Sequence, residues 1–187
     1  STYMIPYVED KYFHLKLLSD AIKSVYASVF FSDSKAYMTA TSNVIDQEKM
    51  AVILQEVVGT QYDDYFYPNI SGVARSINYY PIGDEQAEEG TVNLALGLGK
   101  YIVDGGMSLR VCPAHPHQVL QTSETEIALR ETQTYLLALD TKNIRDDFKV
   151  DDGFNLVKLM VRDVENNGSI QYICSTYDPY DQCIYDS

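Results

Sequence analysis

The chain has 187 residues, enough to bury the core of one domain with room for a small second unit, so disulfide staples are not required for folding. Fourteen basic against 27 acidic side chains leave a formal charge of −13. That charge repels phosphate backbones and anionic lipid head groups at long range, which sets nucleic acid and membrane surfaces aside as partners.

Cys112, Cys174 and Cys183 are odd in number and form no C-x-x-C pair, so free thiols in a reducing compartment are expected. No apolar run approaches the roughly 20 residues of a membrane span, and the first residues lack the basic-then-apolar layout of a signal peptide. The cytoplasm is the expected address. Sixteen tyrosines with no tryptophan stand out. Half-buried strand positions are the commoner use of tyrosine, and glycan- or protein-binding surfaces the rarer one.

Residues 17–31 place Leu18, Ile22, Val25 and Val29 at steps of three and four, with Lys16, Asp20, Lys23 and Ser24 between them, the pattern of an amphipathic helix. Capping side chains over 31–35 predict a second short helix from near Asp33. Residues 50–58 are a compact β-branched run closed by Gly59, which predicts a strand buried on both faces. Over 60–69, Asp63-Asp64 and a Tyr-Phe-Tyr-Pro cluster predict a loop or hairpin tip ahead of a strand at 70–78. Pro81-Ile82-Gly83 and the acidic 84–90 predict a solvated connection. Over 91–98, Val92, Leu94, Leu96 and Leu98 alternate with Asn93, Ala95 and Gly97, a strand period of two. Two prolines break the chain between Cys112 and His117. Ser123 and Glu126 resemble a capping box for a helix reaching about Thr132. Residues 135–140, 155–162 and 169–177 read as strands, the last two joined by a tight reversal at Asn167-Gly168, so a β-rich meander is expected in the C-terminal third.

The local feature with most chemical content is Asn93-Leu94-Ala95-Leu96-Gly97-Leu98-Gly99-Lys100, a strand running into two glycines and a lysine. Glycines there let backbone amides approach an anion, and the lysine supplies charge. The pattern is neither a Walker loop nor a dinucleotide fingerprint, and a simple turn accounts for it equally well. The order of segments carries more. Ile22-Lys23-Ser24-Val25-Tyr26-Ala27-Ser28-Val29-Phe30, Ala51-Val52-Ile53-Leu54-Gln55-Glu56-Val57-Val58, Ser71-Gly72-Val73-Ala74 and Ala95-Leu96-Gly97-Leu98-Gly99 follow one another as do I-x-x-V-W-A-S-L-F, V-x-V-Q-x-M-V, S-G-V-M and S-x-G-L-G-E. Over about residues 20–106 the chain resembles the ATP-binding domain of phosphoenolpyruvate synthase and pyruvate phosphate dikinase, an ATP-grasp-type fold.

The resemblance implies an α+β architecture: an ATP-grasp-like half domain with a mixed or antiparallel sheet and flanking helices over 14–122, then a β-rich extension over 123–187. It implies ATP or AMP as ligand with Mg²⁺, which an acidic chain still accommodates because amides, a few cations and the metal set the field inside a site. Gln55, Glu56, Val57 and Val58 become the strand edge that reads adenine, and Asn78 and Asn93 occupy positions facing phosphates and metal. Both are neutral amides, whereas Mg²⁺ prefers anionic oxygen ligands. Lys100 stands where the family has an acidic residue, and Arg75 where it has an apolar one. These two cations are expected to hold phosphates directly; the alternative is lost catalytic competence, with both merely balancing the acidic surface. In the family, ATP, pyruvate and water give phosphoenolpyruvate, AMP and phosphate through a phosphohistidine relay. The relay's T-x-H-x-A context does not occur here, so the chain is expected to be a nucleotide-binding fragment that works with the remaining domains of a parent phosphotransferase and is inactive alone.

His14, His115 and His117 are acid–base or metal candidates on type alone, but His115-Pro116-His117 lies in a proline-broken loop with no cysteine or carboxylate at ligand spacing. Asp151-Asp152-Gly153 and Asp163 read as turn residues rather than Ca²⁺ ligands. Two non-enzymatic readings stand beside the family one: a docking module, and a glycan-binding β domain marked by tyrosines flanking a shallow groove.

Overall fold

The structure, a computed structural model, describes residues 2–41, 50–149 and 153–186. The chain divides into two compact units, Ser1–Val57 with Leu139–Val157, and Val58–Ala138 with Lys158–Ser187. This partition differs from the 14–122 and 123–187 division expected from sequence.

The first unit is built on α1 (Lys11–Ala27), a 3₁₀ turn (Ser28–Phe30) and α2 (Ser32–Thr41). Asp10 starts α1 by accepting hydrogen bonds from the Tyr12 and Phe13 amides, two donors a helix start leaves unpaired. The buried stripe runs through Leu17, Ala21, Ser24 and Ser28, one position away from the expected Leu18, Ile22, Val25 and Val29, which are half-buried on its flank. Small residues at the centre let a neighbour approach closely. The two serines tolerate burial because each hydroxyl donates to a carbonyl of the preceding turn, Ser24 to Asp20 at 2.8 Å and Ser28 to Val25 at 2.7 Å. Phe154, 1 % exposed, packs on the Phe148 ring, and the Arg145 guanidinium lies over the Phe154 ring at 5.8 Å from its centroid.

Among the described residues the second unit holds strands of three sheets. The hairpin of β1 (Thr60–Tyr62) and β2 (Tyr65–Tyr67) turns at Asp63-Asp64, with Asp63 at φ 50°, a left-handed value aspartate tolerates. It heads a sheet of order β1-β2-β6-β7, which β6 (Tyr135–Asp140) and β7 (Leu156–Met160) enter in this unit as residues 135–138 and 158–160. A second sheet has the order β3-β4-β5, from β3 (Ile70–Arg75), β4 (Thr91–Leu96) and β5 (Leu109–Val111). A hairpin of β8 (Ser175–Asp178) and β9 (Cys183–Asp186) closes the chain. Tyr67, Leu98, Cys112, Leu136 and Ala138 form the driest part of this core. Short helices α3 (Lys100–Val103), α4 (Thr125–Arg130) and α5 (Val161–Val164) connect the strands. The architecture is α+β, an ATP-grasp-like half domain with a β-rich end.

Several local expectations give way. Residues 50–59 form no strand and are not buried on both faces: Ile53 is 87 % exposed and Val58 83 %. A β-branched run makes a strand by packing on hydrogen-bonded neighbours, and none pairs with it among the described residues. The capping box expected at Ser123 and Glu126 is absent, since Glu124 precedes α4 and the Ser123 hydroxyl donates to Leu120 instead; a true capping box joins Gln86 and Glu89 ahead of the 3₁₀ turn Ala87–Glu89. The Asn167-Gly168 step is no hairpin. It ends α5 and the 3₁₀ turn Glu165–Asn167, with Gly168 left-handed at φ 73°, and residues 169–173 are turns rather than strand. The three cysteines are free. Among the described residues no helix is long and apolar enough to cross a membrane. Asp151 and Asp152 lie outside the described residues.

Candidate functional site

Strand register fixes which groups share a surface. Ser71, Val73 and Arg75 pair with Ala95, Asn93 and Thr91, and Asn93 pairs in turn with Arg110, so these seven side chains occupy one face of the β3-β4-β5 sheet. The other face carries Ile70, Gly72, Ala74, Val92, Leu94, Leu96, Leu109 and Val111 and is apolar. Arg75 is exposed and makes no ion pair among the described residues; the half-buried Asn93 amide likewise makes no side-chain hydrogen bond there. The Ser71 hydroxyl is buried without a partner among the described residues.

Beyond β4 the chain makes the glycine turn. Gly97 sits at φ 77°, and a Cβ added there would lie 2.7 Å from the Leu137 carbonyl and 2.8 Å from the Leu136 Cβ. Only glycine fits. The turn is tied to β6 at two points. The Leu98 amide donates to Leu137 O at 3.0 Å, and the Gln133 side chain takes the place of a strand neighbour, accepting from Leu96 N at 2.7 Å and donating to Leu96 O at 3.0 Å. Gly99 faces Ser71: a Cβ there would meet the Ser71 Cβ at 3.6 Å and its Oγ at 3.8 Å, ordinary contacts, so this glycine is not sterically required. Lys100 follows at the start of the four-residue α3, its side chain 6 % exposed and its ammonium 3.0 Å from the Asp104 carboxylate.

Asn78 has a different setting. It is 2 % exposed, donates to Glu85 Oε2 at 2.8 Å, and accepts on Oδ1 from Tyr80 N at 3.1 Å and Arg110 Nη2 at 3.1 Å. Arg110 grips Glu85 in a fork, with Nη1 to Oε1 at 3.0 Å and Nη2 to Oε2 at 2.6 Å, and the Ile82 amide adds a fourth donor at 3.0 Å. Glu85 is therefore not part of a solvated acidic connection but its buried anchor. The Arg110 guanidinium above all, with Asn78 and the Ile82 amide, holds its carboxyl down at about 2 against the opposing effect of burial, and Glu85 holds the guanidinium's own value up. Nothing local in the sequence signals this pair, whose members lie 25 residues apart.

Nearby, Glu89 accepts from Gln86 N at 2.8 Å, with His115 Nε2 at 3.2 Å and Cys112 Sγ at 3.7 Å from the same Oε2. The Gln86 amide first, then His115, keeps Glu89 below the usual carboxylate range. His115 thus has a carboxylate neighbour that ligand spacing in the sequence did not show. His14 lies in α1 and accepts from Val8 N at 3.3 Å.

The implied nucleotide residues fall in both units: Gln55, Glu56 and Val57 in the first, and Val58, Arg75, Asn78, Asn93 and Lys100 in the second. Gln55, Glu56 and Val58 are exposed and Val57 half-buried, in backbone that forms no ladder. The register brings Arg75 and Asn93 onto one face with Ser71 and Arg110. Among the described residues no group of three or more histidine, cysteine or carboxylate side chains could hold a metal ion, and Asn78 Oδ1 already accepts twice, so the donor set does not fit Mg²⁺ held by the protein.

The sequence model of the pyruvate phosphate dikinase AMP/ATP-binding domain matches residues 7–150, well over half of the chain. The chain belongs to that family. The match takes in the first helix, the 50–59 segment, the β3-β4-β5 sheet and the glycine turn. No curated protein and no solved structure matches the chain.

Proposed function

We propose that this domain binds ATP or AMP, with the polar face of the β3-β4-β5 sheet receiving the phosphates, within a phosphoenolpyruvate synthase-like phosphotransferase that turns ATP, pyruvate and water into phosphoenolpyruvate, AMP and phosphate. The observation that carries the reading is the pairing of the family match with uncommitted polar groups on one face: the exposed Arg75 guanidinium, the open Asn93 amide and the unpartnered Ser71 hydroxyl beside Gly99. A guanidinium offers a planar fork of donors suited to phosphate oxygens. Lys100 joins them by exchanging Asp104 for phosphate. Gln55, Glu56, Val57 and Val58, whose backbone enters no ladder among the described residues, are the proposed purine-reading edge. Asn93, rather than the fully engaged Asn78, is the amide that faces phosphate. Mg²⁺ reaches the domain only as the nucleotide's counter-ion. Phosphorus NMR of ATP and AMP titrated with the domain, with and without Mg²⁺, tests this: the β- and γ-phosphate signals of ATP and the single phosphate signal of AMP broaden on binding, and unchanged lines at millimolar protein remove the assignment.

A second reading, a module that docks on the remaining domains of a parent enzyme, is favoured by the opposite face of the same sheet, where Ile70 is 46 % and Leu109 37 % exposed. Replacing Ile70 and Leu109 by serine separates the two readings, because it weakens docking and leaves nucleotide affinity unchanged.

A further inference from the structure

A cavity lies in the β-rich part of the molecule, and nothing in the nucleotide reading uses it. It has a volume of about 550 Å³ and opens between the β1-β2 hairpin tip and the β7-α5 segment. We infer that it is a binding site for a neutral polyhydroxylated ligand, a mono- or disaccharide.

The walls are built before any ligand arrives. Tyr62 and Tyr65 are direct cross-strand partners, so their rings lie on one face of the hairpin, and both line the cavity. The Tyr62 ring is packed 4.8 Å from the fully buried Tyr67 ring, and its hydroxyl donates to Asn69 Oδ1 at 2.6 Å. Asn69 Nδ2 donates to the Ser169 carbonyl at 2.6 Å, the Ser169 and Tyr67 hydroxyls share a hydrogen bond at 3.1 Å, and Asn167 Nδ2 donates to Tyr67 at 2.8 Å. This closed chain of hydrogen bonds joins the hairpin to the 167–169 segment and fixes the spacing of the two walls. Leu159 and the buried Val164 add apolar surface.

Against that frame several polar groups remain open. The Asp63 carboxylate and the Tyr65 hydroxyl make no hydrogen bond among the described residues, and Asn166 uses only its amide nitrogen, on Asp163 O at 3.4 Å. Among the described residues the Asp163 carboxylate has a single partner, the exposed Arg162 at 3.6 Å, which solvent exchanges readily. No lysine or arginine is among the described residues lining the cavity, which argues against phosphate or another anion. Tyrosine ring faces suit the apolar C–H side of a sugar, and carboxylate, amide and phenol groups around them satisfy its hydroxyls. Asp63, held in the left-handed region at the turn, is an exposed member of the lining.

Saturation-transfer NMR with glucose, galactose, mannose, maltose, cellobiose and lactose, each at about 10 mM to cover millimolar affinity, reads the outcome directly. Signal on the ring C–H protons of at least one sugar is expected. Tyr65→Ala lowers it about tenfold, the effect of losing a stacking surface and one hydrogen bond, and Asp63→Asn lowers it less while keeping the turn, because asparagine also accepts the left-handed backbone. A folded domain that shows no transfer from any of these sugars overturns the proposal. So does binding of putrescine or spermidine without any sugar, which would assign the carboxylates to an amine instead. Sugar binding that survives both substitutions places the ligand elsewhere and likewise overturns it. ATP binding by the same sample is neither required nor excluded, so failure here leaves the nucleotide reading standing.

Discussion

Two sets of polar side chains meet the same face of the β3-β4-β5 sheet, and they differ in how far their hydrogen-bonding capacity is used. Asn78, Glu85 and Arg110 saturate one another and the Tyr80 and Ile82 backbone. Ser71, Arg75 and Asn93 are left open. A buried charge that loses its partner costs more than the pair contributed, so the first set is committed to holding the 76–90 loop on the sheet. The second set contributes little to folding and is available to a ligand. Residues on one face of the sheet thus differ in how many of their donors and acceptors the fold uses, and the proposed nucleotide seat rests on the unspent ones.

Arg110→Ala is the most damaging change to the saturated set. It leaves the Glu85 carboxylate buried without its main partner, and about 3 kcal/mol of stability should be lost in urea unfolding. A change within 0.5 kcal/mol or so, as ordinary surface substitutions give, would mean the network is ornamental. Next comes Gly97→Ala, where a left-handed backbone and a Cβ 2.7 Å from the Leu137 carbonyl predict a cost of about 2 kcal/mol together with weakened nucleotide binding. Gly99→Ala, with only ordinary contacts at 3.6 Å, should change stability far less, so equal effects at both positions would discredit the assignment of the turn's geometry.

Acid titration sharpens the same contrast. The Glu85 carboxyl titrates at about 2 in the folded chain against an ordinary 4.5, so the unfolded chain takes up the proton first. Its contribution is complete above pH 4.5 and is lost as pH falls towards about 2. Unfolding measured across that window should show a component of the pH slope in the wild type that Glu85→Gln removes.

How much of this was legible in the sequence depends on how local each signal was. The glycine turn announced itself, because a strand of period two running into Gly97 states both a direction and a break. The β6 strand over 135–140 and the turn at Asp63-Asp64 were also plain, their patterns being set by the residues themselves. The run at 50–58 misled: its composition fits a buried strand, yet the described structure gives it no partner, and strand formation is a property of pairs. The helix stripe shifted by one position because Ser24 and Ser28, polar on paper, satisfy their hydroxyls within the helix. Asn167-Gly168 carries the same dipeptide whether it turns a hairpin or caps a helix. Glu85 with Arg110, and Gln133 with Leu96, could not be read at all, since each joins residues far apart in the chain with no periodic trace.

The smallest expected effect on folding carries the most information about binding. Calorimetric titration of the wild-type domain and of Arg75→Ala with ATP, beside urea unfolding of both, tests directly whether the open polar groups are a nucleotide's seat. Loss of one charge-assisted contact should weaken ATP about tenfold while stability moves by less than about 0.5 kcal/mol. Unchanged affinity in Arg75→Ala, or no heat of binding in the folded wild type, would contradict it.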